Sequence, residues 1–231
     1  LSRGVVLADE VGLGKTIEAA LVLCQLWAER KRRLIVICPA ALRKQWALEL
    51  SEKFNLPTEV LDARTWKDLQ QRGIYDPFNR DVISICSYHF STRMEQAIGN
   101  IPWDAIVIDE AHKLRNAHRK SHATGQSLKR SLAGRKKLLL TATPLQNSLM
   151  ELYGLTSLID EEIFGDERSF RSRYGNIDGD LQALRRRLLP FIKRTLRKDV
   201  LEYVPYTRRH ALTTPFKPSE DEYRLYELVS T

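Results

Sequence analysis

Lys15 and Thr16 follow a short loop that carries Gly12 and Gly14, and that loop follows an apolar run, Val5-Val6-Leu7-Ala8. The run reads as a buried strand. The good helix formers from Ile17 to Glu29 read as a helix that Lys15 and Thr16 open. Strand, glycine loop, Lys-Thr and helix are the parts of a phosphate-binding loop. Glycine lets the backbone approach an oxyanion with no Cβ in the way. The N–H groups around Gly12, Leu13 and Gly14, with the helix N-terminus, then supply positive partial charge where a triphosphate would sit. Lys15 would reach the β and γ phosphates, and Thr16 would offer its hydroxyl to Mg²⁺. The first glycine of the strict GxxxxGK[ST] pattern falls on Asp9, so this loop alone also admits a helix start that merely carries glycines.

Two further clusters stand at the ends of apolar runs. Asp109-Glu110-Ala111-His112 closes the run Ala105 to Asp109. In an open parallel sheet ligands bind outside the carboxyl ends of the strands. The phosphate loop follows such an end too, so both clusters open on one edge. Asp109 is placed to hold Mg²⁺ and Glu110 to orient and deprotonate an attacking water; read alone, the pair is equally a solvated turn. Thr141-Ala142-Thr143-Pro144 closes the run Lys137 to Leu140. Its hydroxyls would sense the γ-phosphate through His112, against the plainer reading of a Thr-Pro turn.

These clusters need a scaffold, and the pattern between them supplies one. Leu34–Cys38, Thr58–Leu61 and Val82–Cys86 read as further strands. Helices are expected over 42–54, 65–71, 87–98, 149–159 and 181–189, with another ending near Leu132. Strands that are continuous apolar runs, alternating with helices, indicate an α/β fold with a mostly parallel sheet covered on both faces. From Phe164 strand signals become few, and a helical appendage is expected. It holds Arg185, Arg186, Arg187, Lys193, Arg194, Arg197 and Lys198. An extended stretch is expected over 208–215, and Ser219 with Glu222 forms a capping-box pattern. The chain opens just before its first strand and stops inside a helical pattern, as a piece of a longer protein would.

Composition narrows the class. With 37 Lys and Arg against 29 Asp and Glu the net charge is +8, which suits a polyanionic partner, nucleic acid first. Cys24, Cys38 and Cys86 form no CxxC pair and read as thiols in a reducing, cytoplasmic setting rather than as disulfides or a zinc site. No apolar run is long enough to span a membrane.

The order of motifs resembles the first RecA-like lobe of helicase superfamily two ATPases, and within them the Swi/Snf-type DNA translocases. Six stretches carry the resemblance: LADEVGLGKT (7–16), ICPAALRKQW (37–46), ICSYHF (85–90), VIDEAHKLRN (107–116), LLLTATPLQN (138–147) and LLPFIKRTLRKDV (188–200). Val11, Ala111 and Ala142 depart from the residues usual in eukaryotic remodellers and look more like bacterial members. The resemblance implies ATP and Mg²⁺ as cofactors. It implies that Asp9, Glu10, Gly12, Leu13, Gly14, Lys15, Thr16 and His112 surround the nucleotide. Lys15, Asp109 and Glu110 would be catalytic, with Thr16 and Asp109 on the metal. Lys44, Gln45, Ser87, Tyr88, His89 and Thr143 would face double-stranded DNA, gripped by its phosphates without sequence preference. Trp46, on the apolar face of its helix, reads rather as core. Thr141, Thr143 and Gln146 would couple nucleotide to DNA. The expected division is a RecA-like lobe over 1–163, a helical protrusion and basic segment over 164–204, and a linker over 205–231 toward a second RecA-like lobe that completes the site. The family's adenine-recognition motif lies upstream of where this chain begins, and without the second lobe hydrolysis is expected to be nearly absent. The rival readings are a strand-separating DNA or RNA helicase and a catalytically silent, nucleotide-gated binding module.

Overall fold

The computed structural model describes residues 3–175, 179–200 and 214–230. It divides into two units, Leu1–Arg197 and Lys198–Thr231. The first is built on a seven-stranded sheet: β1 (Gly4–Leu7), β2 (Leu34–Cys38), β3 (Thr58–Leu61), β4 (Ile83–Ser87), β5 (Ala105–Ile108), β6 (Lys137–Leu140) and β7 (Ile192–Lys193), in the order β3-β4-β2-β5-β6-β1-β7. Every pairing is parallel. The expected α/β class is what forms.

The strands are unbroken apolar runs because both faces are covered. Successive side chains of a strand point to opposite faces. In β2, Leu34, Val36 and Cys38 join one buried cluster, and Ile35 and Ile37 join the other. The first cluster is roofed by α1 (Lys15–Ala28), through Ala19, Ala20 and Leu23, and by α2 (Arg43–Leu48), through Trp46. The second takes Leu69 of α3 (Ala63–Gln71), Phe90 of α4 (Tyr88–Arg93) and Ile98 of α5 (Glu95–Gly99). It also takes Leu128 of α6 (Ala123–Ser131), and Leu155 and Ile159 of α7 (Met150–Ile159).

Two local expectations are corrected. The helix expected over 42–54 is α2 followed by a π-helical turn, Glu49–Lys53. Leu50 still shares the buried face with Trp46, four residues before it. The helix expected over 87–98 breaks at Met94 into α4 and α5. The segment after Phe164 is helical, as expected. Its helices α8 (Glu167–Tyr174) and α9 (Leu181–Leu188) pack into the main core through Phe170, Tyr174 and Leu184. Phe164, Phe170, Tyr174 and Tyr153 of α7 form a mutually tilted aromatic cluster with centroids 5.0–5.9 Å apart. The same segment then returns to the sheet as β7, against β1. In the second unit, α10 (Glu220–Ser230) is preceded by the expected box: Ser219 N–H donates to Glu222 Oε2 at 2.8 Å and Glu222 N–H to Ser219 Oγ at 3.4 Å. Most of the extended stretch expected over 208–215 lies outside the described residues.

Lys137 opens β6 at the edge of the sheet away from the strands' carboxyl ends and is only 4% exposed. Burial pushes its ammonium pKa down to about 8, against the attraction of Asp160. The folded value lies below the ordinary 10.5, so the folded state holds the proton less well than the unfolded chain. Stability is therefore lost as pH falls from about 10.5 to 8, and the loss is complete below that. Lys137→Met is expected to raise unfolding stability by roughly 1–3 kcal/mol at pH 7. Urea unfolding at a series of pH values should show this gain shrinking above pH 8 and vanishing above about 10.5.

Candidate active site

Because all the strands run one way, their carboxyl ends line one edge, and the chemically loaded residues sit there. After β1, Gly12 and Gly14 adopt φ of 83° and 87°, a left-handed conformation that glycine reaches without strain. Gly14 precedes α1 and no side chain caps that helix, so its N-terminal amides and the positive end of its dipole face the loop. Lys15 Nζ donates to the carbonyls of Asp9 and Glu10 at 2.7 and 3.1 Å.

A cleft of about 390 Å³ opens between this loop, α2 and the end of β5. That volume is on the scale of small-molecule cofactor sites, about 300–1,000 Å³. Gly12, Gly14, Lys15, Thr16, Gln45, Trp46, Asp109, Glu110 and Ala142 line it. The phosphate loop and the acidic pair, 94 positions apart from Lys15 to Asp109, thus share one cavity. Asp109 is held from both sides: its Oδ2 accepts from Trp46 Nε1–H at 2.9 Å and its Oδ1 from the Glu110 N–H at 2.8 Å. Burial pushes its carboxyl above the ordinary range, against the pull of those two donors. Glu110 itself sits at φ 52°, ψ 44°, left-handed without being glycine. Such a residue stores roughly 1–2 kcal/mol of strain, a cost that persists where surrounding structure enforces it and that clusters at active sites. His112 Nδ1 lies 3.0 Å from Glu110 Oε2, a contact of distance rather than of hydrogen-bond alignment.

The remaining expected site residues fall into three groups. Asp9 and Glu10 do not line the cleft; Asp9 is buried, and both carboxylates take backbone amides from the chain after β7. Leu13 N–H turns back to Glu10 O at 3.4 Å. On the outer part of the same edge, Lys44, Gln45, His89 and Thr143 are exposed. Ser87, Tyr88 and His89 line a second hollow of about 290 Å³ with Pro39, Lys113 and His122. Within it Ser87 is buried and caps α4 through the Phe90 N–H at 3.1 Å. Tyr88 donates its hydroxyl to the Asp109 carbonyl, and burial pushes its pKa well up. These two side chains support Asp109 and α4 from beneath, and His89 is the exposed member of the three. Thr141 Oγ1 accepts from the Thr143 N–H at 3.1 Å, which curls the loop after β6.

Sequence reasoning missed two features of this edge. Trp46 is both a core side chain, as expected, and the donor that fixes Asp109; no spacing in the sequence announces that bond. The second is a bracket on α7. Glu151, only 6% exposed, accepts from the Gln146 and Asn147 N–H groups at 2.7 and 3.3 Å. Arg115 reaches over to donate to Gln146 Oε1 at 2.7 Å. Gly154 lets α7 sit directly on this turn: a Cβ there would lie 1.8 Å from the Arg115 carbonyl oxygen. One helix therefore clamps the turn after Glu110 to the loop after Thr141.

A glycine loop and an acidic strand end sharing one cleft on a parallel sheet define a P-loop nucleotide-binding lobe. The sequence matches the family model of the SNF2-related domain over residues 1–230, and the chain belongs to that family, as an N-terminal lobe of the Swi/Snf type within helicase superfamily two. The "Uncharacterized ATP-dependent helicase YqhH" of Bacillus subtilis (strain 168) is 33% identical over 231 residues, covering 97% of this chain and 38% of its own length. The Sulfolobus solfataricus SWI2/SNF2 ATPase core in complex with dsDNA superposes with a TM-score of 0.69 at 25% identity over 84% of this chain and 40% of its own. The core domain alone gives 0.70 at 25% identity, over 87% and 41%. The chain thus spans about two fifths of the length of these relatives.

Glu151→Ala would remove the buried carboxylate that holds the part-buried Gln146 and Asn147 N–H groups and pairs with Arg115, and is expected to cost about 2–4 kcal/mol of stability. Arg115→Ala removes both the donor to Gln146 Oε1 and the cation 3.8 Å from the buried Glu151 Oε1, and is expected to cost about 1–3 kcal/mol, less than Glu151→Ala because the Gln146 and Asn147 amides keep the carboxylate. Chemical unfolding of the two variants beside the wild type checks the order.

Proposed function

We propose that this chain is the first ATP-binding lobe of an ATP- and Mg²⁺-dependent motor that tracks along double-stranded DNA. The observation that carries the proposal is the single cleft in which Lys15 and Thr16 face Asp109 and Glu110. In this reading the loop amides and α1 take the phosphates, and Lys15 exchanges its two loop carbonyls for phosphate oxygens. Thr16 and Asp109 would hold Mg²⁺. The fit is one hydroxyl and one carboxylate, each Asp109 oxygen keeping lone pairs beside its single protein donor. Mg²⁺ is commonly held by one or two carboxylates together with substrate phosphates. Bound there, the ion would neutralise developing charge on the phosphates. Glu110, its backbone strained toward the cleft, would orient the attacking water and take its proton.

DNA would lie on the outer edge, against Lys44, Gln45, His89 and Thr143. The net charge and the solved dsDNA complex of the Sulfolobus relative support this reading. Contacts to phosphates fix position without reading sequence, so binding should weaken steeply with salt. Residues 164–204 are proposed as the protrusion and basic segment, and 205–231 as the linker toward a second lobe. Without that lobe's charge-stabilising residues, hydrolysis by this chain alone should be close to nil. The name of the Bacillus relative favours a second reading, a strand-separating helicase.

The deciding experiment is ATP turnover by a full-length protein carrying this chain, with duplex DNA, single-stranded DNA or RNA. Duplex DNA should stimulate most, and strands should not separate. Chief stimulation by single strands or RNA moves the protein to the helicase reading, and no turnover leaves a nucleotide-gated binding module. In the same assay Lys15→Ala should abolish turnover by losing ATP. Glu110→Gln should keep ATP binding while turnover falls about 10²–10⁴-fold.

A further inference from the structure

The first unit ends by returning to the loop with which it begins. β7 runs beside β1, and Val6 and Ala8 donate their N–H groups to the carbonyls of Phe191 and Lys193, both at 2.7 Å. The pairing continues beyond the strands. Glu10 N–H donates to Thr195 O at 3.2 Å. Thr195 N–H then donates to the Asp9 carboxylate, and Arg197 N–H to Glu10 Oε2 at 2.7 Å. The Arg197 guanidinium closes the contact, with Nε and Nη2 on the Val11 carbonyl at 3.1 and 2.6 Å. A Cβ on Gly12 would stand 3.3 Å from that Nη2.

This contact reaches Lys15. Its ammonium is held by the carbonyls of Asp9 and Glu10, the residues whose carboxylates take the amides of Thr195 and Arg197. The glycines give the loop little shape of its own, since they reach many conformations at similar cost. The Leu13 N–H on Glu10 O and the Lys15 ammonium brace it from within, and the stretch 195–197 adds contacts from its side. We propose that Arg197 is a positioning residue for the nucleotide loop. Its guanidinium fixes the Val11 carbonyl, while its backbone N–H, which an Ala or Lys in its place keeps, takes the Glu10 carboxylate; the side chain thereby holds the loop amides in the phosphate-binding shape, so a shift of the 195–197 stretch alters affinity for ATP. This inference rests on the ATP-binding reading above.

The test compares wild type, R197A and R197K in a full-length protein carrying this chain by two measurements. The first is hydrogen exchange of residues 9–14 without nucleotide. The second is equilibrium titration with a fluorescent ATP analogue and Mg²⁺. R197A should speed exchange of the loop about tenfold while β2, β4 and β5 keep their protection, and should weaken analogue binding about 5–10-fold, the scale of one net charged hydrogen bond. R197K keeps one donor and should fall between. Unchanged loop exchange in R197A overturns the inference. So does faster exchange across the whole sheet with equal effect of Ala and Lys, the mark of a purely structural residue. If R197A does not fold, the graded response of R197K against wild type decides in its place. A wild type that ignores the ATP analogue while its loop still loosens in R197A refutes the nucleotide reading and keeps Arg197 as the residue that positions the loop.

Discussion

Backbone polarity is the constraint on which this molecule depends. A parallel strand can pair with its neighbour only if the chain crosses back to the same starting edge each time, which costs a connection of a dozen residues or more. The seven strands accept that cost at every step, and their carboxyl ends consequently stand together. Gly12 after β1, Pro39 after β2, Ser87 at the end of β4, Asp109 after β5 and Thr141 after β6 are remote in sequence and adjacent at one edge. Nothing else in the fold would bring Lys15 and Asp109 into one cleft. The buried clusters on the two faces serve this end by fixing the register of each strand: a slip by one residue would turn Leu34, Val36 and Cys38 to the wrong face.

The parts of this arrangement that were legible in the sequence are those that local physics writes locally. β2, β4 and β5 are continuous apolar runs because they are covered on both faces, and such runs can be read without knowing their neighbours. The glycines of the phosphate loop and the acidic pair after β5 were legible for a related reason: their chemistry demands particular residue types at strand ends. β7 was not legible. It has two residues, Ile192 and Lys193, and owes its existence to the unpaired side of β1 rather than to its own pattern. The breaks at Met94 and over Glu49–Lys53 were hidden likewise, because a helical stripe survives a small change of winding.

Side-chain bonds that cross the chain were the least legible. Trp46 reads as core by its spacing, and it is core; its indole N–H adds a second task that only the approach of α2 to β5 creates. Asp9 and Glu10 precede the glycines, and the family resemblance implies that they surround the nucleotide. Their carboxylates meet amides 186 and 187 positions away. Arg115 and Glu151 carry no pattern of their own, yet with Gly154 they join the turn after Glu110 to the loop after Thr141. Proximity in sequence predicts what a residue is near, and the sheet decides what it touches.

The electrostatics of the proposed site follow from the same geometry. Glu49, Asp109 and Glu110 line the cleft against Lys15 and Lys53. Asp9 faces Glu18, whose pKa is raised first by burial and then by Asp9. A free polyanion would meet several carboxylates at short range, and one lysine already engaged by carbonyls. Two features offset that repulsion. Backbone amides and the α1 dipole provide positive potential that needs no counter-charge nearby and no side-chain ordering when a ligand arrives. Asp109, pushed by burial toward its neutral form, gains most from a cation delivered with the phosphates. On the proposed reading, then, acidic residues so close to a phosphate loop favour nucleotide that brings its metal, and they disfavour nucleotide without it. Selectivity for the metal-bound form would come from repulsion of the bare ligand as much as from attraction of the right one, and one of the carboxylates that impose it, Glu110, would act on the water afterwards.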